Sequence, residues 1–314
     1  MTRGASPLAA TTRADAVLRQ LELLVSRRLD GLLQGDFQGL VPGAGSEAGD
    51  GRIYRPGDDV RRMDWNLTAR TTVPHVRQTI IDRELETWLL VDGSASLDFG
   101  TADYEKRDLA LFAAAAVGFL TARQGNRLGT MLATPTGTVT RPPRSGRAPL
   151  LARLHELAAY RAPDPPEAGS PPADLAAAMD ALRRVARRRG LVVVVSDFLE
   201  PRDWERPFRG LASLHDVLAV EVVDPRELEL PPVGLLMLVD PETGRRVEVQ
   251  TRSAKLRARF AAAAANQRSA IAGAIRRAGV DHVQLRTDRD WLQDIVRFVV
   301  ARRRRRAGRP PPQR

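Results

Sequence analysis

Over the last two-thirds of the chain, short and almost unbroken apolar runs alternate with longer segments of helical spacing. The runs 85–92 and 191–197, the second nearly pure valine, are too short for helices. They read as buried strands, and the valine run is too apolar for a half-exposed one, so it is expected at the centre of a parallel sheet, covered on both faces. Segments 127–134, 217–223 and 282–286 read as further strands, and Val139 extends the first of them into a hairpin. Helical spacing predicts helices over 103–123, 149–160, 175–189, 204–214, 254–278 and 291–304. The first would bury Leu109, Phe112, Ala116 and Leu120, and Gly190 reads as the stop of the third. Segments 235–240 and 245–251 form an antiparallel hairpin around Pro241-Glu242-Thr243-Gly244. Upstream the pattern is weaker. Residues 13–35 have helical spacing, 39–51 reads as a glycine-rich loop, 54–59 as a turn and 76–80 as a strand, while 1–12 looks disordered.

Strands that alternate with helices imply a mostly parallel sheet with right-handed crossovers and helices on both faces. The expected organisation is an N-terminal tail and helix (1–35), a β-containing region (36–84), an α/β domain (85–301) and a basic disordered tail (302–314). In sheets of this kind functional residues gather beyond the carboxyl ends of the strands. Asp92 and Asp197 each end a strong apolar strand, with Ser94, Ser96 and Ser196 close by.

The chain's 314 residues suffice for one large α/β domain with an accessory region. The absence of cysteine excludes disulfides and thiolate metal sites. No apolar run approaches the ~18–20 residues that span a bilayer, and residues 1–20 show no signal peptide. The expectation is a soluble, cytoplasmic protein. The net charge of +11 suggests nucleic acid until it is located: without the seven arginines of 301–314 it falls to +4.

Asp92-x-Ser94-x-Ser96 after a buried strand would set three hard oxygens around one point, a donor set suited to Mg²⁺ or a similar divalent cation. The competing interpretation is that these residues cap a turn or helix start. Asp58, Asp59 and Asp64 read either as a second acidic site or as a turn paired to Arg61, Arg62 or Arg70, the latter favoured. Trp65 is expected to pack this region onto the core, or else to face a partner. His75, His155, His215 and His282 lie in different elements and make no ligand pair. There is no Gly-x-Ser-x-Gly elbow and no Gly-x-x-x-x-Gly-Lys loop, so any ATP hydrolysis would belong to a partner.

Asp92-x-Ser94-x-Ser96 with Asp197 resembles the metal-ion-dependent adhesion site of von Willebrand factor A domains. Tyr54-x-Pro56-Gly57-Asp58-Asp59-x-Arg61-x-x-Asp64-Trp65-x-x-x-Ala69-Arg70, then Val76-Arg77-Gln78, resembles the signature of the bacterial domain-of-unknown-function family fifty-eight. The resemblance continues through Ser196-Asp197-Phe198, Asp224-Pro225-Arg226-Glu227-Leu228 and Asp240-Pro241-Glu242-Thr243-Gly244. It implies a Rossmann-like von Willebrand A-type α/β domain with a β-containing insertion before its first core strand. It also implies a binding or adaptor role beside a MoxR-type AAA+ ATPase that assembles or activates client proteins. In such sites Asp92, Ser94 and Ser96 would hold the ion directly or through water, Asp197 would act through water, and a partner's Asp or Glu would complete the octahedron. One departure stands out. Ala173 and Pro172 precede Asp174-Leu175 where the family usually has a threonine, and only Ser170, if the proline-rich loop 161–172 folds back, could supply a hydroxyl in its place, which weakens the expected Mg²⁺ site.

A non-enzymatic adaptor is therefore the leading expectation, since no catalytic base accompanies these residues. The alternatives are a metal-dependent hydrolase using the same carboxylates and a non-specific binder of nucleic acid or acidic surfaces through Arg302–Arg306.

Overall fold

The computed structural model describes residues 18–25, 27, 49–54, 60, 63–78, 86–123, 125–162, 173–200 and 203–307. The expected disorder at 1–12, most of the glycine-rich segment, Asp58 and Asp59, and most of the proline-rich loop with Ser170 lie outside these residues.

A two-stranded antiparallel ribbon, β1 (Gly49–Ile53) and β2 (His75–Gln78), precedes the main sheet and flanks a short helix, α1 (Trp65–Thr71). Asp64 caps that helix by accepting from the amides of Asn66 and Leu67, both at 3.1 Å, so this carboxylate is structural. Trp65 does not pack onto the core as expected: it is 67 % exposed on the first turn of a helix with no buried residue.

The main sheet begins with β3 (Glu86–Asp92), followed by α2 (Lys106–Arg123), β4 (Arg127–Thr134) and β5 (Gly137–Arg144). The chain continues through α3 (Arg147–Ala159), α4 (Leu175–Val185), β6 (Leu191–Ser196), α5 (Glu205–Ala212) and β7 (Asp216–Val223). A hairpin, β8 (Leu235–Val239) and β9 (Arg246–Gln250), then leads into α6 (Ala254–Arg277), β10 (Asp281–Arg286) and α7 (Trp291–Ala307).

The six strands run in the order β10-β7-β6-β3-β4-β5, all parallel except β5, which is antiparallel to β4. The doubly wound α/β class and the expected hairpin at 235–251 are both observed. Val139 marks a full antiparallel edge strand, on which Pro142 and Pro143 are tolerated because one side of it needs no ladder partner.

The unbroken apolar runs are explained by the two helical layers. Leu89, Val91, Val193 and Val195 join a core with α2, α3, α7 and helical residues Leu18, Leu21 and Val25. Trp88, Leu90, Val192 and Val194 join a second core with α4, α5 and α6. Alternate side chains point to opposite faces, and both faces are covered.

Two expected boundaries are corrected. Helix α4 ends at Val185, and Gly190 is not its cap. A Cβ on Gly190 would lie 1.9 Å from the Glu86 carbonyl oxygen, so this glycine allows two backbones to approach. The tail expected from 302 begins inside a helix. Arg302 is 1 % exposed and bonds Asp216 at 2.7 Å and Asp281 at 2.6 Å, which draws α7 onward to Ala307. Among the described residues no helix is long and apolar enough to cross a membrane.

Candidate metal and docking site

The chain leaves β3 toward β4 and β5 on one side of the sheet, then returns to β6, β7 and β10 on the other. The topological switch point therefore lies between the neighbouring strands β3 and β6, which is where open α/β sheets form a crevice. Asp92 ends β3, and Asp197 directly follows β6. The structure thus brings together Asp92, Ser94, Ser96 and Asp197.

The loop after Asp92 is tightly held. The Gly93 amide donates to the Ala133 carbonyl at 2.8 Å, and the Tyr160 hydroxyl donates to the Gly93 carbonyl at 3.1 Å. A Cβ on Gly93 would sit 2.5 Å from the Ala133 oxygen and 2.8 Å from the Tyr160 ring, so no other residue fits without displacement. Asp92 accepts from the Ser94 amide at 2.9 Å through Oδ1 and from the Ser196 hydroxyl at 2.6 Å through Oδ2. Ser94 starts a 3₁₀ turn, Ala95–Asp98, yet its side chain does not cap it; its Oγ lies 3.0 Å from Ser96 Oγ.

The two carboxylates have opposite electrostatics. Burial, and then the charge of Asp197, pushes the Asp92 carboxyl up to about 7, only partly offset by the Ser196 and Ser94 bonds. Burial pushes Asp197 the same way, but the Lys106 ammonium outweighs it and holds Asp197 below its ordinary value. Lys106, 1 % exposed at the start of α2, donates to Asp197 Oδ2 at 2.7 Å and pairs closely with Glu227. Burial opposes its charge, yet Asp197 and Glu227 together raise its pKa. Arg268 on α6 extends the network. It donates to Glu227 at 2.7 Å, to Glu221 at 2.9 Å and to the Asp197 carbonyl at 2.9 Å.

One carboxylate arrives from far along the chain. Glu242, at the tip of the β8–β9 hairpin, accepts from the Ser96 amide at 2.8 Å. Burial, with Asp197 and Asp240 near, pushes its carboxyl above the usual range.

The donor set fits a hydrated divalent cation in part. In an octahedral Mg²⁺ shell, with ligands at about 2.0–2.1 Å, neighbouring oxygens are about 2.9 Å apart, which matches the spacing of the Ser94 and Ser96 hydroxyls. Asp92 supplies the charge, and among the described residues no cationic side chain bonds it. Among the described residues the threonine position brings no hydroxyl: Ala173 is buried there and Asp174 caps α4. Asp197 is already neutralised by a lysine. Among the described residues no three His, Cys, Asp or Glu side chains converge as a metal cluster, so an ion here would rest on one carboxylate, two hydroxyls and water. A cavity of about 20 Å³, lined by Asp92, Ser94, Arg107 and Tyr160 among others, has room for about one water.

None of the network residues Lys106, Glu227, Arg268 and Glu242 was expected at the site, although Glu227 and Glu242 stand in segments that carry the family resemblance. Lys106 carried one usable signal, being one of two lysines in the chain and standing at the head of a helix whose middle, Leu109 to Leu120, is wholly apolar or glycine.

Comparison with known proteins now adds the lineage. The family profile described as "Protein of unknown function DUF58" matches residues 50–270. An uncharacterized protein of Mycobacterium tuberculosis (strain H37Rv) is 56 % identical over 289 residues, covering 92 % of this chain and 90 % of that protein, and one from Mycobacterium bovis aligns equally well. Among solved structures, the conserved hypothetical protein BatB from Bacteroides thetaiotaomicron has a TM-score of 0.43 at 12 % identity, covering 70 % of this chain and 99 % of that one. A von Willebrand factor type A protein from Catenulispora acidiphila has a TM-score of 0.38 at 12 % identity, over 70 % and 42 %. The chain belongs to the family of proteins of unknown function DUF58.

Proposed function

We propose that the chain is a non-enzymatic, cytoplasmic protein-binding adaptor whose docking point is the rim formed by Asp92, Ser94 and Ser96. The observation that carries this reading is a buried carboxylate at the switch point of the sheet, bonded to no cationic side chain among the described residues and adjoining two hydroxyls at octahedral spacing. Mg²⁺ or a similar divalent cation held there would supply positive charge for a partner's carboxylate. Asp197, anchored by Lys106, holds the loop after β6 and adds negative potential without being spent as a direct ligand. The partner is a MoxR-type AAA+ ATPase, or a client it assembles or activates; this part rests on the family resemblance. ATP hydrolysis stays with the partner, since the chain has no phosphate loop. Arg302, engaged with Asp216 and Asp281, is not available to the basic tail.

The test uses the tagged full chain and a purified MoxR-type ATPase of the same bacterium. Asp92→Ala, and EDTA added to the wild type, should each lower capture at least about tenfold, a loss near 1.4 kcal/mol, with the circular dichroism unchanged. Equal capture in all three conditions contradicts the ion-bridged part of this reading.

A further inference from the structure

We infer that the rim already holds a carboxylate of its own chain: Glu242 occupies in cis the position at the Ser96 amide that a partner's acidic side chain would take. The inference rests on the docking role proposed for the rim and adds what regulates it.

The Asp240–Gly244 turn is built to present one side chain. Asp240 accepts from the Glu242 amide at 3.0 Å and from the Thr243 hydroxyl at 2.6 Å, and the Gly244 amide closes the turn on the Asp240 carbonyl at 2.8 Å. These bonds leave the Glu242 carboxylate directed outward, where it meets the Ser96 amide 146 positions away in sequence. A carboxylate on a backbone amide makes a charge-assisted hydrogen bond, which a second carboxylate can replace without rebuilding the site.

The rest of the hairpin is loosely packed. Leu235, Met237 and Val239 alternate along β8, each more than half exposed, so one face of the ribbon has no core to bury against. A two-stranded ribbon in that condition is marginally stable and belongs to the readily opened parts of a fold. Its base is anchored instead. Thr251, fully buried, bonds the Gly234 amide at 3.0 Å and the Gly234 carbonyl at 2.7 Å, and Arg257 donates to the Thr251 carbonyl at 2.7 Å. An arm anchored at its base and held over the rim by its tip acts as a stopper. A partner enters by displacing Glu242, so its affinity is reduced by the fraction of chains that are closed.

The probe is a fluorescein-labelled peptide copying residues 238–246, which carries the same Asp-Pro-Glu-Thr-Gly turn. The full-length Glu242→Ala chain should bind it at least tenfold tighter than the wild type, and a copy with glutamine at the Glu242 position should bind neither. Hydrogen exchange should rise at the Ser96 amide and across 235–250 in Glu242→Ala. Equal peptide binding by the two chains, or unchanged exchange in the variant, overturns the inference. Adding Asp92→Ala to Glu242→Ala separates the two levels. If the peptide still binds the double variant, the stopper stands and the ion-dependent rim falls. If only the double variant loses the peptide, both stand.

Discussion

Replacing Lys106 by methionine is expected to remove about 3–5 kcal/mol of folding stability, the cost of stripping one partner from a buried ion pair. Lys106 is buried at 1 % exposure between Asp197, itself 2 % exposed, and Glu227. Methionine keeps the length and apolar stem but leaves Asp197 with no cation on its carboxylate. Arg268 still serves Glu227, yet reaches Asp197 only at its backbone carbonyl. Urea unfolding monitored by circular dichroism measures the loss. Lys106→Met with Asp197→Asn should recover most of it, because a neutral pair in place of a buried ion pair is often tolerated. Mn²⁺ should also stabilise Lys106→Met more than the wild type, since Asp197 is then free to face a cation. A loss below about 1 kcal/mol would show that the pair is not the electrostatic anchor of the β6 end.

Without a divalent cation, the protein is expected to lose about 3 kcal/mol of stability between pH 5 and pH 8 on account of Asp92 alone. Its carboxyl lies near 7 in the folded chain, against an ordinary value of 3.8. The folded state therefore binds the proton more tightly than the unfolded state. The resulting stability is fully present below about 3.8 and is lost as pH rises through about 7. Burial is the main cause, so the charged form must find a cation or destabilise the fold. Asp92→Asn should flatten this part of the profile, measured as urea midpoints in EDTA. An unchanged slope in Asp92→Asn would assign the pH dependence to other groups.

The layered fold was legible because its strands are short, apolar on both faces and separated by helical spacing. Val192 to Val195 need helices on each side, and α4, α5 and α6 cover one side while α2, α3 and α7 cover the other. The positions of Asp92 and Asp197 followed from the same logic, as residues at the tips of neighbouring parallel strands. Less legible were features set by contacts distant in sequence. Lys106 meets Asp197 across 91 positions, and nothing local to either residue announces the other. Glu242 reads as an ordinary turn residue until the fold brings its hairpin to Ser96. Arg302 looks like the first residue of a solvated basic run, yet the two aspartates at the starts of β7 and β10 make it part of the interior. Trp65 failed in the opposite sense: its size suggested burial, but it starts a helix with no buried face.

The central claim is that Asp92 accepts a divalent cation together with Ser94 and Ser96. The most direct measurement is a Mn²⁺ titration at pH 7.5, following loss of the free-ion electron paramagnetic resonance signal for the wild type and Asp92→Ala. The account predicts one saturable site on the wild type, competed by Mg²⁺ and absent from Asp92→Ala. A wild type that binds no Mn²⁺, or an Asp92→Ala chain that binds it equally well, would contradict it.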